Sequence, residues 1–247
     1  MQAREDEIIG GDKKSLNAPS EQDDLFADPE FRELYRETYG HEYEPIIDWA
    51  LSLVEINMRH ENRHENLTLE IGCGLGLSTA ILQNKLTPSS IKAIDKSACA
   101  IDECKLAASQ NPKLQKDNFV HGTWDSLAGT DGFERGSFDF VFASFVFYDE
   151  DEVENDAITY TKYTHKTLVE NFAEALELDG KGLFVGFGGD CERFLSSTGS
   201  LYWDQLEEEN EPDRVLRPIF ADWTYVNDVE YGVVAVQAIE NNFDPKY

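Results

Sequence analysis

The stretch Leu69-Glu70-Ile71-Gly72-Cys73-Gly74-Leu75-Gly76-Leu77-Ser78-Thr79 decides the fold of this chain. An apolar run over residues 67–71 enters three glycines spaced Gly-x-Gly-x-Gly. A helical pattern then leaves them over residues 77–86 and stops before Pro88. A short apolar run bounded by glycine reads as a buried strand, and glycine tolerates the positive φ that a tight strand-to-helix turn needs. Bare backbone beyond the C-terminal end of a strand is also where open α/β sheets bind ligands. A purely structural turn would use the same residues, so the meaning of the loop depends on what surrounds it.

Working outward, residues 90–94 form a strand ending at Asp95, about 20 residues past the loop, where a carboxylate can accept both hydroxyls of a ribose. A helix over 97–110 stops before Pro112. Strands follow over 118–121 and 138–147, then a helix over 163–178 ended by Asp179-Gly180, then a strand over 183–187 followed by Gly188-Gly189. Alternating strands and helices predict a Rossmann-like, doubly wound, mostly parallel seven-stranded α/β sheet with helices on both faces. Residues 194–209 extend the helical pattern. Residues 221–226 and 231–238 flank Asn227-Asp228 as an antiparallel C-terminal hairpin.

Upstream, Asp28-Pro29 starts one helix carrying Phe31, Leu34 and Tyr35, and Glu44-Pro45 starts another that reaches about residue 59. Tyr35, Tyr39, His41 and Tyr43 crowd the link between them. These helices form an N-terminal cover. The organisation expected is a flexible tail over 1–24 and one domain over 25–247, with N-terminal helices over 25–64 and the Rossmann-like core over 65–247.

Forty-nine acidic residues face 21 basic ones, a formal charge of -28. That field repels phosphate backbones and acidic membranes, so neither nucleic acid nor a membrane is an expected partner. It suits a cationic small molecule, and it equally suits a role in solubility. Cys73, Cys99, Cys104 and Cys191 form no CxxC pair and have no histidine at zinc-like spacing, so no metal site is expected. The absence of a signal-like N-terminus and of any run of ~20 apolar residues points to a cytoplasmic protein.

Glu-Ile-Gly-Cys-Gly-Leu-Gly at 70–76, followed by Ala93-Ile94-Asp95-Lys96-Ser97, resembles motifs I and II of class I S-adenosylmethionine-dependent methyltransferases. The likeness spans roughly residues 67–240, including the terminal hairpin. It implies S-adenosyl-L-methionine as cofactor. Gly72, Cys73, Gly74 and Gly76 then lie against its methionine part, and Asp95, with Lys96 beside it, binds the ribose. Glu70 either organises the loop and the amino group or is a structural acid bonding nearby backbone N–H groups. The family's third motif places an acid on the adenine amine; here the segment is Gly122-Thr123-Trp124-Asp125. Thr123 stands where the acid is expected, and Asp125 is displaced by two. Trp124 and Asp125 are expected to line the adenine pocket, with core filling as the alternative for Trp124.

By the same resemblance, the end of the strand over 138–147 lines the reaction site, through Ser144, Phe145 and Tyr148. Methyl transfer from a sulfonium needs alignment of the nucleophile, and a base only where the nucleophile is protonated. His41, Tyr148 and His165 are the candidate catalytic groups, with Asp149 a further acid; each histidine could equally be structural. Tyr39 and Tyr43, and Tyr202-Trp203, could cover a substrate or pack the helices. The expected function is methyl transfer to a small-molecule acceptor, possible acceptors including a cation or amine. The alternatives are a binding or regulatory protein that keeps the fold, an NAD-dependent dehydrogenase, whose loop spacing differs, and an aminopropyl transferase. Oligomeric state is not legible.

Overall fold

The computed structural model describes residues 24–55, 66–86, 89–111, 114–146, 165–204 and 214–240. Helix α1 (Pro29–Thr38) is capped by Asp28, whose carboxylate accepts the Glu30 N–H, with Pro29 in its first turn. It does not end in a link. A single π-helical turn, Tyr39–Tyr43, runs it directly into α2 (Glu44–Glu55). The core elements then follow in order: β1 (Asn66–Ile71), α3 (Leu77–Lys85), β2 (Ser89–Asp95), α4 (Ala98–Gln110), β3 (Phe119–His121), α5 (Trp124–Leu127), β4 (Phe138–Ser144), α6 (His165–Ala175), β5 (Leu176–Phe187), α7 (Gly188–Asp204), β6 (Arg214–Val226) and β7 (Val229–Glu240).

The seven strands make one sheet in the order β3-β2-β1-β4-β5-β7-β6. The pairs β2/β3, β1/β2, β1/β4 and β4/β5 are parallel, and β7 is antiparallel to both β5 and β6. This is the Rossmann-like sheet with a C-terminal hairpin that the pattern predicts, the turn falling at Asn227 and Asp228, both with positive φ. On one face α2 and α3 bury Ile47, Leu51 and Leu82 against Phe140, Phe142 and Val185. On the other, α5, α6 and α7 bury Trp124, Phe172 and Phe194 against Leu69, Val141 and Phe184. Helix α4 seals the β2–β3 side through Ile101 and Cys104 against Ala93 and Phe119. None of the described helices is long and apolar enough to cross a membrane.

Several boundaries differ from the sequence pattern, among them the start of β6, at Arg214 and not at residue 221. Helix α6 stops at Ala175, because fully buried Leu176 already pairs with Phe138 as strand. The register then jumps to Lys181 opposite Phe140, with Asp179 at φ 66, so Asp179-Gly180 form a kink within β5 and do not end a helix. Helix α7 begins at Gly188, directly after β5, where a Cβ would run into the Glu230 side chain. Tyr148, Asp149 and the acidic stretch to Asp156 lie outside the described residues, as do the side chains of Tyr202 and Trp203.

Candidate active site

The sheet's switch point lies at β1, which is flanked by β2 on one side and β4 on the other. The glycine loop leaves β1 there. Gly72 and Cys73 both donate their N–H to Ile94 O, at 2.9 and 3.0 Å, which lays the loop across the end of β2. Gly76 starts α3 at φ 75, and a Cβ there would meet Cys104 Sγ at 2.9 Å, so only glycine fits. Gly74 has φ 49, and a Cβ would meet the Tyr35 hydroxyl at 3.2 Å and the Phe26 ring at 3.5 Å. The Cys104 thiol donates to Gly74 O at 3.2 Å. The Cys104 thiol and burial push the Cys73 thiol well up, so Cys73 is packing and not a nucleophile.

Asp95 ties this region together. Its Oδ2 accepts the Gly74 N–H and its Oδ1 the Ser97 N–H, both at 2.8 Å, while its backbone oxygen accepts the Gly122 N–H at 2.9 Å. Burial raises its carboxyl above the usual range against the pull of the Ser97 and Gly74 N–H groups. Glu70 is buried beneath the loop and accepts hydrogen bonds from the Ser78 and Thr79 hydroxyls in the first turn of α3. It therefore organises the loop-to-helix junction, through hydroxyls and not backbone N–H groups. Burial raises its carboxyl to about 7 despite those two bonds.

The N-terminal segment closes over the loop. Asp24, at the end of the expected tail, accepts from Ser97 Oγ at 2.7 Å and from the Cys99 N–H at 3.2 Å. Burial would raise its carboxyl, but these bonds and the Phe26 N–H outweigh it and hold it below the usual range. Ser97 Oγ also caps α4 by accepting the Ala100 N–H at 2.9 Å. Arg36 Nη2 reaches Glu103 at 2.8 Å and Arg32 Nε at 3.7 Å, docking α1 on α4. Asp24, Phe26, Ser97 and the Ser78–Thr79 pair were not singled out by the sequence reading. Ser97 is findable, since a serine directly before a helical run is a cap signal. The others meet the loop only through the tertiary fold.

The adenine-side residues divide. Thr123 caps α5 in a reciprocal pair with Ser126. Trp124 is fully buried, edge-on to Phe138 at 6.1 Å, and its indole N–H donates to Glu174 Oε2 at 3.0 Å. Its ring fills the core. Asp125 is exposed and turned toward α6, where the Asn171 amide, oriented to donate, reaches Asp125 Oδ1 at 3.3 Å. Within this segment it is the Gly122 N–H that touches Asp95. Lys96 is exposed, with His121 Nε2 3.1 Å from its backbone oxygen.

At the end of β4, Ser144 is buried. Phe145, at φ 49, donates its N–H to Val185 O at 2.9 Å and stacks on Tyr43 with centroids 4.0 Å apart. Phe187 and Tyr231 join this group, so the C-terminal ends of β4 and β5 carry an aromatic wall. Val146 presses on Gly72, 3.0 Å from where a Cβ would stand. His41 is exposed in the π-turn. His165 is buried on the opposite face, against Phe184, with Nε2 3.5 Å from Asp190 Oδ1. The two histidines are not brought together.

Residues 69–158 match a family model described as a methyltransferase domain. Among solved structures, geranyl diphosphate C-methyltransferase from Streptomyces coelicolor, in complex with Mg2+, geranyl diphosphate and S-adenosyl-L-homocysteine, is similar at 9% identity. The match covers 86% of each chain with a TM-score of 0.53. A class I S-adenosylmethionine-dependent methyltransferase from Listeria monocytogenes matches at 14% identity over 82% of this chain and 62% of that one, TM-score 0.54. The cyclase SpnF matches at 12% identity over 78% and 81%, TM-score 0.55. No curated protein sequence matches the chain. At these identities the structural likeness establishes the fold. Together with the family match, it makes the chain the carrier of a methyltransferase domain in the class I S-adenosylmethionine-dependent fold. S-adenosylmethionine is the cofactor of that class.

Proposed function

We propose that this chain moves a methyl group from S-adenosylmethionine to a small-molecule acceptor, a cation or amine fitting best. The observation that carries the reading is the Asp95 constellation. One buried carboxylate holds the glycine loop, the start of α4 and the turn after β3 at the switch point of the sheet. The residues present suit the cofactor: Gly72 leaves partly exposed backbone with no side chain of its own at the end of β1, and Asp95, at the end of β2, keeps a further lone pair on each carboxylate oxygen for ribose hydroxyls. Bound there, the sulfonium would supply an activated methyl group and a neutral leaving group.

The residues of the chain then have positioning to do. Asp95 orients the ribose, and Glu70 holds α3 against the loop. The wall of Tyr43, Phe145, Phe187 and Tyr231 excludes water at the ends of β4 and β5. Aromatic faces attract cations, and a net charge of -28 draws them in, which together support a cationic acceptor over a phosphate-bearing polymer. Four unpaired thiols support a reducing, cytoplasmic setting.

Calorimetry tests this directly. S-adenosylhomocysteine binds one per chain, and Asp95→Ala weakens it about 10-fold or more, the scale of lost hydrogen bonds to a charged group. Unchanged affinity in that variant would remove the assignment. The cyclase among the fold relatives favours a second reading, cofactor binding without methyl transfer. A single acceptor that turns over excludes it.

A further inference from the structure

Residues 24–38 cross the glycine loop as a strap that contributes almost nothing to the core. Neither the 3₁₀ turn Leu25–Ala27 nor α1 buries a residue, and Leu25 and Leu34 are exposed. The chain just beyond is built differently. Tyr39 and Tyr43 are buried, and α2 behind them buries Ile46, Ile47, Ala50 and Leu51 in the core. One continuous helical run is therefore anchored on one side of the π-turn and only laid on the surface on the other. A segment that buries little apolar surface separates from a fold at low cost, and π-turns are among the few places where helices bend sharply.

The fastenings of the strap are polar, and all of them end on α4 or its cap. At one end Asp24 accepts from Ser97 Oγ at 2.7 Å and from the Cys99 N–H at 3.2 Å. At the other, Arg32 and Arg36 meet Glu103. Arg32 also donates to Phe26 O and Ala27 O, so the turn and α1 are tied into one piece. Between the fastenings Phe26 and Tyr35 stand edge to face, centroids 5.2 Å apart, over Gly74. Gly74 is buried there, and so is Asp95, which accepts its N–H. Asp24 and Asp95 share Ser97, one on its hydroxyl and the other on its N–H. The closed strap thus sets two carboxylates side by side, a repulsion that opening relieves.

Resting on the methyltransferase reading, we infer that residues 24–38 are a gate over the cofactor site, latched to α4 by Asp24 and Glu103 and hinged at the Tyr39–Tyr43 turn. A ligand that reaches Asp95 enters only when the strap lifts, and the strap settles again behind it. The latch bonds join the strap to α4 and not to the ligand. They are made whenever the gate is closed, empty or loaded, and are broken only while it is open. Loosening the latch therefore speeds entry and exit alike and leaves affinity nearly unchanged. A strap that served as a fixed wall of the site would behave differently: damage to it would weaken binding and leave entry no faster.

The test measures S-adenosylhomocysteine binding to the full chain by surface plasmon resonance, which gives association and dissociation rates separately. Asp24→Ala is expected to raise both about 10-fold, the scale of lost hydrogen bonds to a charged group, with Kd held within about threefold. Glu103→Gln, which frees Arg32 and Arg36 at the other fastening, raises both by about two- to threefold, because an exposed ion pair holds less. In the ligand-free chain, trypsin cuts after Arg32 severalfold faster in Asp24→Ala than in wild type. Should Asp24→Ala fail to fold, Glu103→Gln decides alone. Unchanged rates in the folded variants, or a Kd weakened about 10-fold with association no faster, would overturn the gate. Failure of the wild-type chain and of both variants to bind S-adenosylhomocysteine would overturn the methyltransferase reading itself, and the gate with it.

Discussion

At the scale of single residues, Glu70 carries a local tension between burial and charge. It is buried beneath the loop, burial lifts its carboxyl from 4.5 to about 7, and two hydroxyls offset only part of the cost. An acid whose pKa is raised by folding binds its proton more tightly in the folded chain. Its contribution is therefore most favourable below 4.5, where it is protonated in both states, and is lost as pH rises through 7. The loss amounts to about 3 kcal/mol. Glu70→Gln removes the titration, so the stability difference between variant and wild type, measured by urea unfolding, shifts in the variant's favour by about that amount between about pH 4 and pH 8. A difference that stays constant with pH would contradict the assignment. The sequence placed Glu70 under the loop without choosing between its two roles, because the choice lies in Ser78 and Thr79 approaching from the next helix. Trp124 shows the same limit. Its position after β3 suggested adenine, and its indole bond to Glu174, 50 residues on, turns it into the core.

At the scale of elements, the central strands were legible, while the starts of β5 and β6 and the helix joints were not. Short apolar runs cut by glycine and proline expose β1, β2 and β4 directly, and the strand-loop-helix unit at residues 66–85 lies where the motif puts it. The end of α6 was hidden because Leu176 continues an apolar helical pattern while pairing as a strand. The continuity of α1 with α2 was hidden because a π-turn inserts an extra residue and breaks the 3.6-residue period through the tyrosines. That inserted residue makes a testable claim. Deleting Gly40 and His41 together would remove the extra residue and one more, and so rotate α1 by about 100° relative to α2. Tyr35 would leave Gly74, and Arg32 and Arg36 would leave Glu103. Limited trypsin digestion of the deletion variant is expected to cut after Arg32 and Arg36 severalfold faster than in wild type, while the strands survive. Equal cleavage rates would mean that the π-turn does not set the docking of α1.

At the scale of the whole molecule, one buried carboxylate at the switch point and a strongly acidic surface act on different lengths. Asp95 works through contacts of 2.8 Å. The net charge of -28 works over the Debye length, about 10 Å at 0.1 M salt. The described ion pairs, such as Lys85 with Asp48 and Arg135 with Glu174, lie at least partly in solvent and offset little of that surplus. Self-repulsion therefore opposes the compact state, and screening relieves it. Tm is expected to rise as sodium chloride goes from low salt to about 0.5 M, each kcal/mol of relieved repulsion being worth about 2–4 °C for a domain of this size. If the same field also draws in a cationic acceptor, kcat/KM falls over the range in which Tm rises, because screening weakens steering while it stabilises the fold. A Tm that rises with kcat/KM unchanged would leave the surface its solubility role and remove steering from the mechanism. A Tm that does not move would show that the acidic surplus is already neutralised by bound counterions.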